Sequence, residues 1–112
     1  MVSDIYQSGG TFLGTSRGNQ NVEQMVDTLE ILNINILFCI GGDGTLRGAH
    51  AIHKEIEKRK LRISVAGIPK TIDNDIDLIA NSFGFETAFS IANDIIRNAH
   101  NEAHGANNGI AL

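Results

Sequence analysis

The apolar residues of this chain recur with two different spacings, which predict helices alternating with strands. Residues 34–40 and 63–68 are apolar runs, interrupted only by Asn35 and Ser64 and rich in β-branched residues, typical of strands buried on both faces, as in a parallel sheet. Three other segments repeat apolar residues every three or four positions, the spacing of a helix with one buried stripe. Their stripes are Val22, Met25, Val26, Leu29 and Leu32; Leu46, Ala49, Ile52, His53 and Ile56; and Ala88, Ile91, Ala92, Ile95, Ile96, Ala99 and Ala103.

The order strand, helix, strand over residues 34–68 predicts a βαβ crossover, with parallel strands whose following loops meet at one edge of the sheet. Ligands bind at that edge in open α/β sheets. We therefore expect an α/β fold, Rossmann-like, with three layers and parallel strands.

Short polar residues and glycines predict where the helices begin and end. Asn19 or Asn21 is expected to cap the first helix and Asn33 to end it. The last helix is expected to begin near Ser82 or Gly84, with Gly105 just beyond its end. A turn at 107–109 then precedes residues 110–112, which are expected to open a third strand.

Composition narrows the class of protein. The chain has 112 residues, 42% of them apolar and 20% charged, as expected for one small soluble domain. Its net charge of −4 argues against a nucleic-acid or anionic-membrane partner. A single cysteine, Cys39, favours a reducing compartment and is expected in the core rather than as a nucleophile. With no secretory or membrane-spanning pattern in the sequence, we expect a cytoplasmic protein.

The segment GGDGT, at residues 41–45, lies between the first predicted strand and a helix. Glycines there let a phosphate approach the backbone, and a helix N-terminus attracts negative charge. Asp43 suits an anion site only if a cation accompanies the phosphates, and Mg²⁺ is the usual one. An ordinary tight turn is the alternative.

The segment PKTIDND, at residues 69–75, follows the second strand and carries two carboxylates, Asp73 and Asp75. If the loop is extended, they project to the same side, about 7 Å apart along the chain. A carboxylate facing an alcohol can orient it and accept its proton during phosphoryl transfer. Taken alone, the segment is more typical of a surface loop shaped by short polar residues.

The first twenty residues are rich in glycine, serine and threonine, which lets backbone N–H groups converge on an anion. Arg17 adds a planar fork suited to phosphate. A flexible N-terminal loop explains the composition equally well.

GGDGT and PKTIDND, about thirty residues apart, together with GGT at 9–11, GTSRG at 14–18 and FGFETA at 83–88, resemble the phosphofructokinase family. GGDGT also occurs in NAD, diacylglycerol and sphingosine kinases, but PKTIDND is far more specific. The resemblance implies transfer of phosphate to O1 of fructose 6-phosphate, with ATP and Mg²⁺, by a homo-oligomer. It also implies roles for individual residues. Asp73 would be the base, assisted by Asp75 and Thr71, and the sugar phosphate would be bound by Lys70, Thr71 and Asp73. Asp43 would bind the metal, and the nucleotide would be bound by Gly9, Gly10, Arg17, Gly18, Gly42, Asp43, Gly44 and Thr45.

The phosphoryl donor depends on two positions. Pyrophosphate-dependent members usually have aspartate where this chain has Gly44, filling space that the α-phosphate needs, so Gly44 favours ATP. Lys70 is usual in pyrophosphate enzymes, and the mixture resembles the plant- and trypanosomatid-type ATP-dependent group. We give the steric argument more weight and keep the pyrophosphate-dependent enzyme as an alternative.

The resemblance further implies that one glycine loop of the family precedes Met1 and that its Met-Gly-Arg segment follows Leu112. We therefore expect residues 1–112 to be part of the N-terminal, nucleotide-binding domain, truncated at both ends. Alone, the chain is expected to be inactive, and a truncated nucleotide-binding module without catalysis is the remaining alternative.

Overall fold

The computed structural model describes residues 4–15, 18 and 20–111 of the chain. A short 3-10 helix spans Ile5–Gln7. The longer elements are α1 (Val22–Ile31), β1 (Ile36–Gly41), α2 (Asp43–Lys58), β2 (Ser64–Pro69) and α3 (Phe85–Gly105). The predicted alternation of helices and strands is confirmed.

β1 and β2 form a parallel two-stranded sheet, in register from the pair Ile36–Ser64 to the pair Gly41–Pro69. α2 is the crossover between them, as the sequence predicts. The backbone N–H of Lys70 donates to the carbonyl of Gly41 over 2.8 Å, one residue past the end of β2. The two loops that follow the strands therefore start side by side.

One face of this sheet is covered by α1 and α2, and the core lies there. Val26, Ile52 and Ile56 are buried, with exposed fractions of 0, 8 and 2%. They pack against partly buried apolar residues of both helices, both strands and the connection before β2: Val22, Leu29, Leu37, Leu61, Ile63 and Val65. The stripes predicted for α1 and α2 are thus confirmed at their centres, and burial raises the pKa of the half-buried Cys39 thiol beside this core.

Both packed helices end in the same hydrogen-bonding pattern. Asn33 and Lys60 adopt positive φ angles of 53° and 56°, directly after the last helical turn. The next residue in each case, Ile34 or Leu61, donates its N–H back to the carbonyl five residues earlier, that of Leu29 or Ile56. Asn21 caps α1 by accepting a hydrogen bond from the N–H of Gln24. Asn21 and Asn33 therefore act as predicted.

Arg59, directly after α2, bridges to the side of α1. Its guanidinium donates to Glu55 over 2.7 Å, to Asp27 over 2.5 Å and to the backbone carbonyl of Glu23 over 3.2 Å. The hydrogen bond from Arg59, followed by that from Lys58, lowers the pKa of Glu55. This arrangement links the two helices from the polar side, opposite the apolar contacts that bury Val26.

The second face of the sheet is open, so the prediction that β1 is buried on both faces is wrong. Ile36, Phe38 and Ile40 of β1 are 58, 61 and 56% exposed. Within the described part of the chain, α3 packs against none of the other helices or strands. The described residues therefore form two layers, with α3 extending away in a particle of 67 × 35 × 26 Å.

The C-terminal predictions are confirmed only in part. Gly84 stands before α3 with a φ of 98°, as expected for the residue that begins it. Gly105 is the last helical residue instead of lying beyond the helix, because the chain leaves the helix only at Ala106. The turn at 107–109 is present, but Ile110 and Ala111 form no strand, and Leu112 lies outside the described residues.

Candidate active site

The loop after β1 is short because the strand passes directly into α2. Gly41 is the last strand residue, and a Cβ there would lie 2.7 Å from the Cβ of Thr45, so only glycine fits. Gly42 is the N-cap, and its carbonyl accepts the first helical hydrogen bond, from Leu46. GGDGT is thus a strand end and a helix N-terminus within five residues, which leaves backbone N–H groups of α2 available to an anion.

The two predicted motifs lie next to each other at this edge. A Cβ on Gly42 would stand 3.6 Å from the Cβ of Thr71, an ordinary van der Waals distance between the two loops. The expectation that both loops share the carboxyl edge of a parallel pair is confirmed.

Asp43, in the first turn of α2, is paired with an arginine that sequence reasoning missed. Arg47 approaches its carboxylate with two nitrogens, Nη2 to Oδ2 over 2.7 Å and Nε to Oδ1 over 3.1 Å. Both side chains are largely exposed, at 51% for Asp43 and 80% for Arg47. The four-residue spacing on a predicted helix was the available signal, since such residues are neighbours on a helix surface.

In the loop after β2, Thr71 holds Asp73. The backbone N–H of Asp73 donates to Thr71 Oγ1 over 3.1 Å, and that hydroxyl lies 3.4 Å from Asp73 Oδ2. The backbone of Asp73 is thus held by Thr71, while its side chain is exposed to solvent. That is the arrangement a positioned proton acceptor needs.

The rest of this loop is held by Ser82 and Asn74. Ser82 is buried, donates its hydroxyl to the carbonyl of Thr71 over 2.8 Å and donates its backbone N–H to Asn74 Oδ1 over 2.8 Å. Phe83 pairs with Lys70 in the manner of a third strand, donating to the carbonyl of Pro69. No local pattern predicted the role of Ser82, because its partners stand eight and eleven positions away.

The two carboxylates of PKTIDND do not have the expected relation. Asn74, between them, has a φ of 50°, so the loop is not extended and the condition for the predicted same-side placement of Asp73 and Asp75 is not met. Asp75 instead lines a hollow of about 640 Å³ together with Asp77, Asp43 and Arg47. Asp75 therefore lines the same hollow as Asp43 of GGDGT.

Two of the N-terminal glycines, Gly18 and Gly10, line hollows that include residues of the motif loops. Gly18 lines one of about 520 Å³ with Gly44, Thr45 and Arg47, so it joins the predicted nucleotide residues. Gly10 lines another, of about 650 Å³, that also includes Lys70 and the open face of β1.

Gly9 and Arg17 are also predicted to contact the nucleotide, but the described residues support neither contact. Gly9 lines a local hollow with Asp4 and Ser8 and is not brought to either loop. Arg17, predicted at the nucleotide, lies outside the described residues.

The residues present fit Mg²⁺ carried by a nucleotide better than a resident ion. In the described part of the chain, no three histidine, cysteine or acidic side chains converge as a metal site. Mg²⁺ commonly uses only one or two protein carboxylates and takes its other oxygens from phosphates and water. Asp43, at a helix N-terminus that favours phosphate, meets that requirement.

Within the described residues, no helix is both long and apolar enough to cross a bilayer.

Comparison with known proteins agrees with these motifs. The sequence model for phosphofructokinase matches residues 1–111. ATP-dependent 6-phosphofructokinase of Entamoeba histolytica is 55% identical over 112 residues, which are 100% of this chain and 26% of that protein. ATP-dependent 6-phosphofructokinase 1 of Arabidopsis thaliana is 56% identical over 99% of the chain and 24% of its own length. The Trypanosoma brucei brucei enzyme is 52% identical over 99% of the chain and 23% of its own length.

The chain therefore spans about a quarter of the length of these curated relatives. With nearly all of its residues matched by the family model, and with both motif loops side by side, the chain belongs to the phosphofructokinase family.

Proposed function

We propose that the protein carrying this chain transfers the terminal phosphoryl group of ATP to O1 of fructose 6-phosphate, giving fructose 1,6-bisphosphate. The chain would form part of its N-terminal, nucleotide-binding domain. The observation that carries the proposal is the adjacency of two loops, with Asp43 at the start of α2 on one side and Asp73 held by Thr71 on the other.

On the acceptor side, Asp73 orients the sugar hydroxyl and accepts its proton. Thr71 supports this role, because it anchors the backbone and side chain of Asp73 together. Asp75 assists from the neighbouring hollow, and Lys70, exposed beside the open sheet face, contributes positive charge toward the sugar phosphate.

On the donor side, Gly42, Gly44 and Thr45 present backbone N–H groups of the helix N-terminus to the phosphates, with Gly18 beside them. Arg17 is assigned here from the family resemblance alone, as are Gly9 and Gly10. Asp43 would hold Mg²⁺, which neutralises charge on the phosphates when it is bound. Arg47 keeps the Asp43 carboxylate in place until then.

The donor is ATP rather than pyrophosphate because Gly44 leaves space. A Cβ at Gly44 would meet no atom within 4 Å, so the position opens onto the hollow beside Thr45 instead of packing against the fold. The names of the relatives, all ATP-dependent enzymes, also support ATP.

The test of the base uses a full-length protein that contains this chain. Asp73→Asn should reduce turnover by roughly 10² to 10⁴, the scale for a positioned base, with little change in fructose 6-phosphate binding. Asp94→Asn, an exposed acid on α3 that lines neither hollow beside the two loops, is the matched control and should keep turnover near wild type. A wild-type rate in Asp73→Asn would remove Asp73 from this role.

The test of the donor is Gly44→Asp, compared with Gly44→Ala. Because the position is open, both variants should fold, so a change in kinetics reports on the nucleotide. The aspartate should raise KM for ATP through its bulk and its charge beside phosphates, whereas alanine should not. Unchanged ATP kinetics in Gly44→Asp, or faster turnover with pyrophosphate, would favour the pyrophosphate-dependent alternative.

The parent protein is proposed to be a cytoplasmic homo-oligomer, whereas the 112-residue chain alone should not turn over fructose 6-phosphate. Positioning and charge stabilisation supply nearly all of phosphoryl-transfer catalysis, and the chain spans only a quarter of its relatives. Calorimetry with Mg-ATP on the isolated chain would detect the remaining alternative, a nucleotide-binding module without catalysis. Measurable turnover by the isolated chain would contradict the proposal that it is part of a larger catalytic unit.

A further inference from the structure

Two histidines near the C-terminal end of α3 face each other and take no part in the proposed reaction. His100 and His104 are four positions apart, and their ring centres are 4.5 Å apart with the planes at 76°. Both side chains are exposed. The histidines of α2 differ, because His50 and His53 are three positions apart and His53 pairs with Glu57 over 3.5 Å.

The chain after α3 folds back beside these two rings. A turn brings the N–H of Gly109 to the carbonyl of Ala106 over 3.1 Å, and Asn108 within it has a φ of 58°. A Cβ at Gly109 would lie 2.9 Å from the Cβ of Ala106, so the close return requires glycine. His100, His104 and Asn108 consequently line one hollow of about 380 Å³.

The geometry suits a metal ion that prefers nitrogen ligands. Two imidazole bonds of about 2.0–2.1 Å at a tetrahedral angle place the donor nitrogens about 3.4 Å apart. Ring centres at 4.5 Å are compatible with that separation after small side-chain rotations. The C-terminal end of a helix also carries partial negative charge on its free carbonyls, which favours a cation there.

We propose that His100 and His104 form a two-histidine site for a divalent transition-metal ion, with the amide oxygen of Asn108 and water completing the coordination. The site is open and of modest affinity, because the described residues offer no third histidine, cysteine or carboxylate to it. Imidazole ligands select Cu²⁺, Ni²⁺ and Zn²⁺ over Mg²⁺, which prefers oxygen, so the site is distinct from the one at Asp43.

Metal binding at this spacing is coupled to the helix itself. Only the helical conformation keeps residues four apart on one face, so an ion that binds both rings stabilises the turn between them. α3 has no packing partner among the described helices and strands to do so. The bound ion should therefore increase the helix content of the chain.

The test is titration of the 112-residue chain with NiCl₂ and with ZnCl₂, followed by calorimetry and by circular dichroism at 222 nm. Each metal should bind with one-to-one stoichiometry and increase helicity, and MgCl₂ should do neither. His100→Ala and His104→Ala should each weaken metal binding by roughly tenfold or more, at least the loss that follows when a residue hydrogen-bonded to a metal ligand is replaced. His53→Ala should bind as the wild type does.

A variant that keeps the number of histidines gives the sharper control. His104→Ala combined with Asn101→His places two histidines side by side in sequence and on different faces of α3. It should lose the site as fully as His104→Ala alone. Wild-type affinity in this variant, or in either single variant, would overturn the proposal. Neither assay depends on turnover, so the result is independent of the reaction proposed above.

Discussion

α2 and α3 are both amphipathic helices with clear apolar stripes, yet only one of them is packed. α2 buries Ala49, Ile52 and Ile56 against α1 and the sheet. α3 leaves Ile95 and Ile96 62 and 67% exposed and has no buried residue. Similar patterns of residues thus lead to different surroundings within one chain.

The difference shows what an apolar stripe can and cannot specify. Spacing of three and four residues determines that a helix has an apolar face, but the partner of that face comes from elsewhere in the chain. For α2 the partner is adjacent, because a βαβ crossover packs its helix onto its own two strands. For α3 the described residues supply no such partner, although the open face of β1 is also apolar.

The largest expected effect that tests this comparison is on stability. Ile56→Ala removes a side chain that is 2% exposed in the centre of the core and should lower the free energy of unfolding by about 2–5 kcal/mol. Ile96→Ala, the matched change on α3, should alter it by less than about 0.5 kcal/mol. Urea unfolding followed by circular dichroism measures both. Equal losses would mean that α3 is packed in solution.

A second expected effect concerns the dependence of stability on pH. Arg59, and after it Lys58, lowers the pKa of Glu55 below its ordinary value of 4.5. A lowered carboxyl pKa contributes stability above the unfolded value, and that contribution is lost as the pH falls through the folded value. The free energy of unfolding should therefore decrease as the pH falls below about 4.5 and Glu55 becomes protonated.

Arg59→Ala tests this linkage. The variant should be less stable than the wild type at neutral pH and should lose less on acidification, because Glu55 loses the larger of the two hydrogen bonds that favour its ionised form. Glu55→Gln should reduce the acid dependence in the same way. The measurement is the urea midpoint of unfolding at pH values from 7 to 3. If the midpoint falls by the same amount with pH in the wild type and in Arg59→Ala, Arg59 does not affect the ionisation of Glu55.

Much of the fold was predictable because its signals are local. The ends of α1 follow from Asn21 and Asn33, residues that suit a cap and a positive φ at little cost. The crossover follows from the order of two apolar runs and one stripe. Burial on both faces of β1 was wrong because a continuous apolar run does not reveal how many layers the available chain provides.

The candidate site was predictable in its residue types but not in its arrangement. GGDGT and PKTIDND come together because parallel strands place both loops at one edge. The turn between Asp73 and Asp75 depends on the positive φ of Asn74. Asn74 in turn is bound by Ser82 from beyond the loop, a contact that no spacing in the motif encodes.

The smallest expected effects on stability concern one ion pair on α2 and one on α3. Arg47–Asp43 on α2 and Arg97–Asp94 on α3 are both exposed pairs, at 2.7 and 2.9 Å. Exposed pairs contribute about 0–1 kcal/mol, so Arg47→Ala and Arg97→Ala should each change the free energy of unfolding only slightly.

Their effects on the nucleotide should differ. Arg47 lines both hollows beside the GGDGT loop, so it can turn from Asp43 to a phosphate oxygen when Asp43 engages the metal. A charge-assisted hydrogen bond contributes about 1.5–3 kcal/mol, so Arg47→Ala should weaken Mg-ATP binding by roughly tenfold or more. Arg97→Ala should leave that affinity unchanged, because α3 carries it away from both loops. Calorimetry with Mg-ATP on the full-length protein measures both affinities. Equal losses of affinity in the two variants would mean that only the overall charge of the protein matters. Unchanged affinity in both would mean that Arg47 only pairs with Asp43 and does not contact the nucleotide.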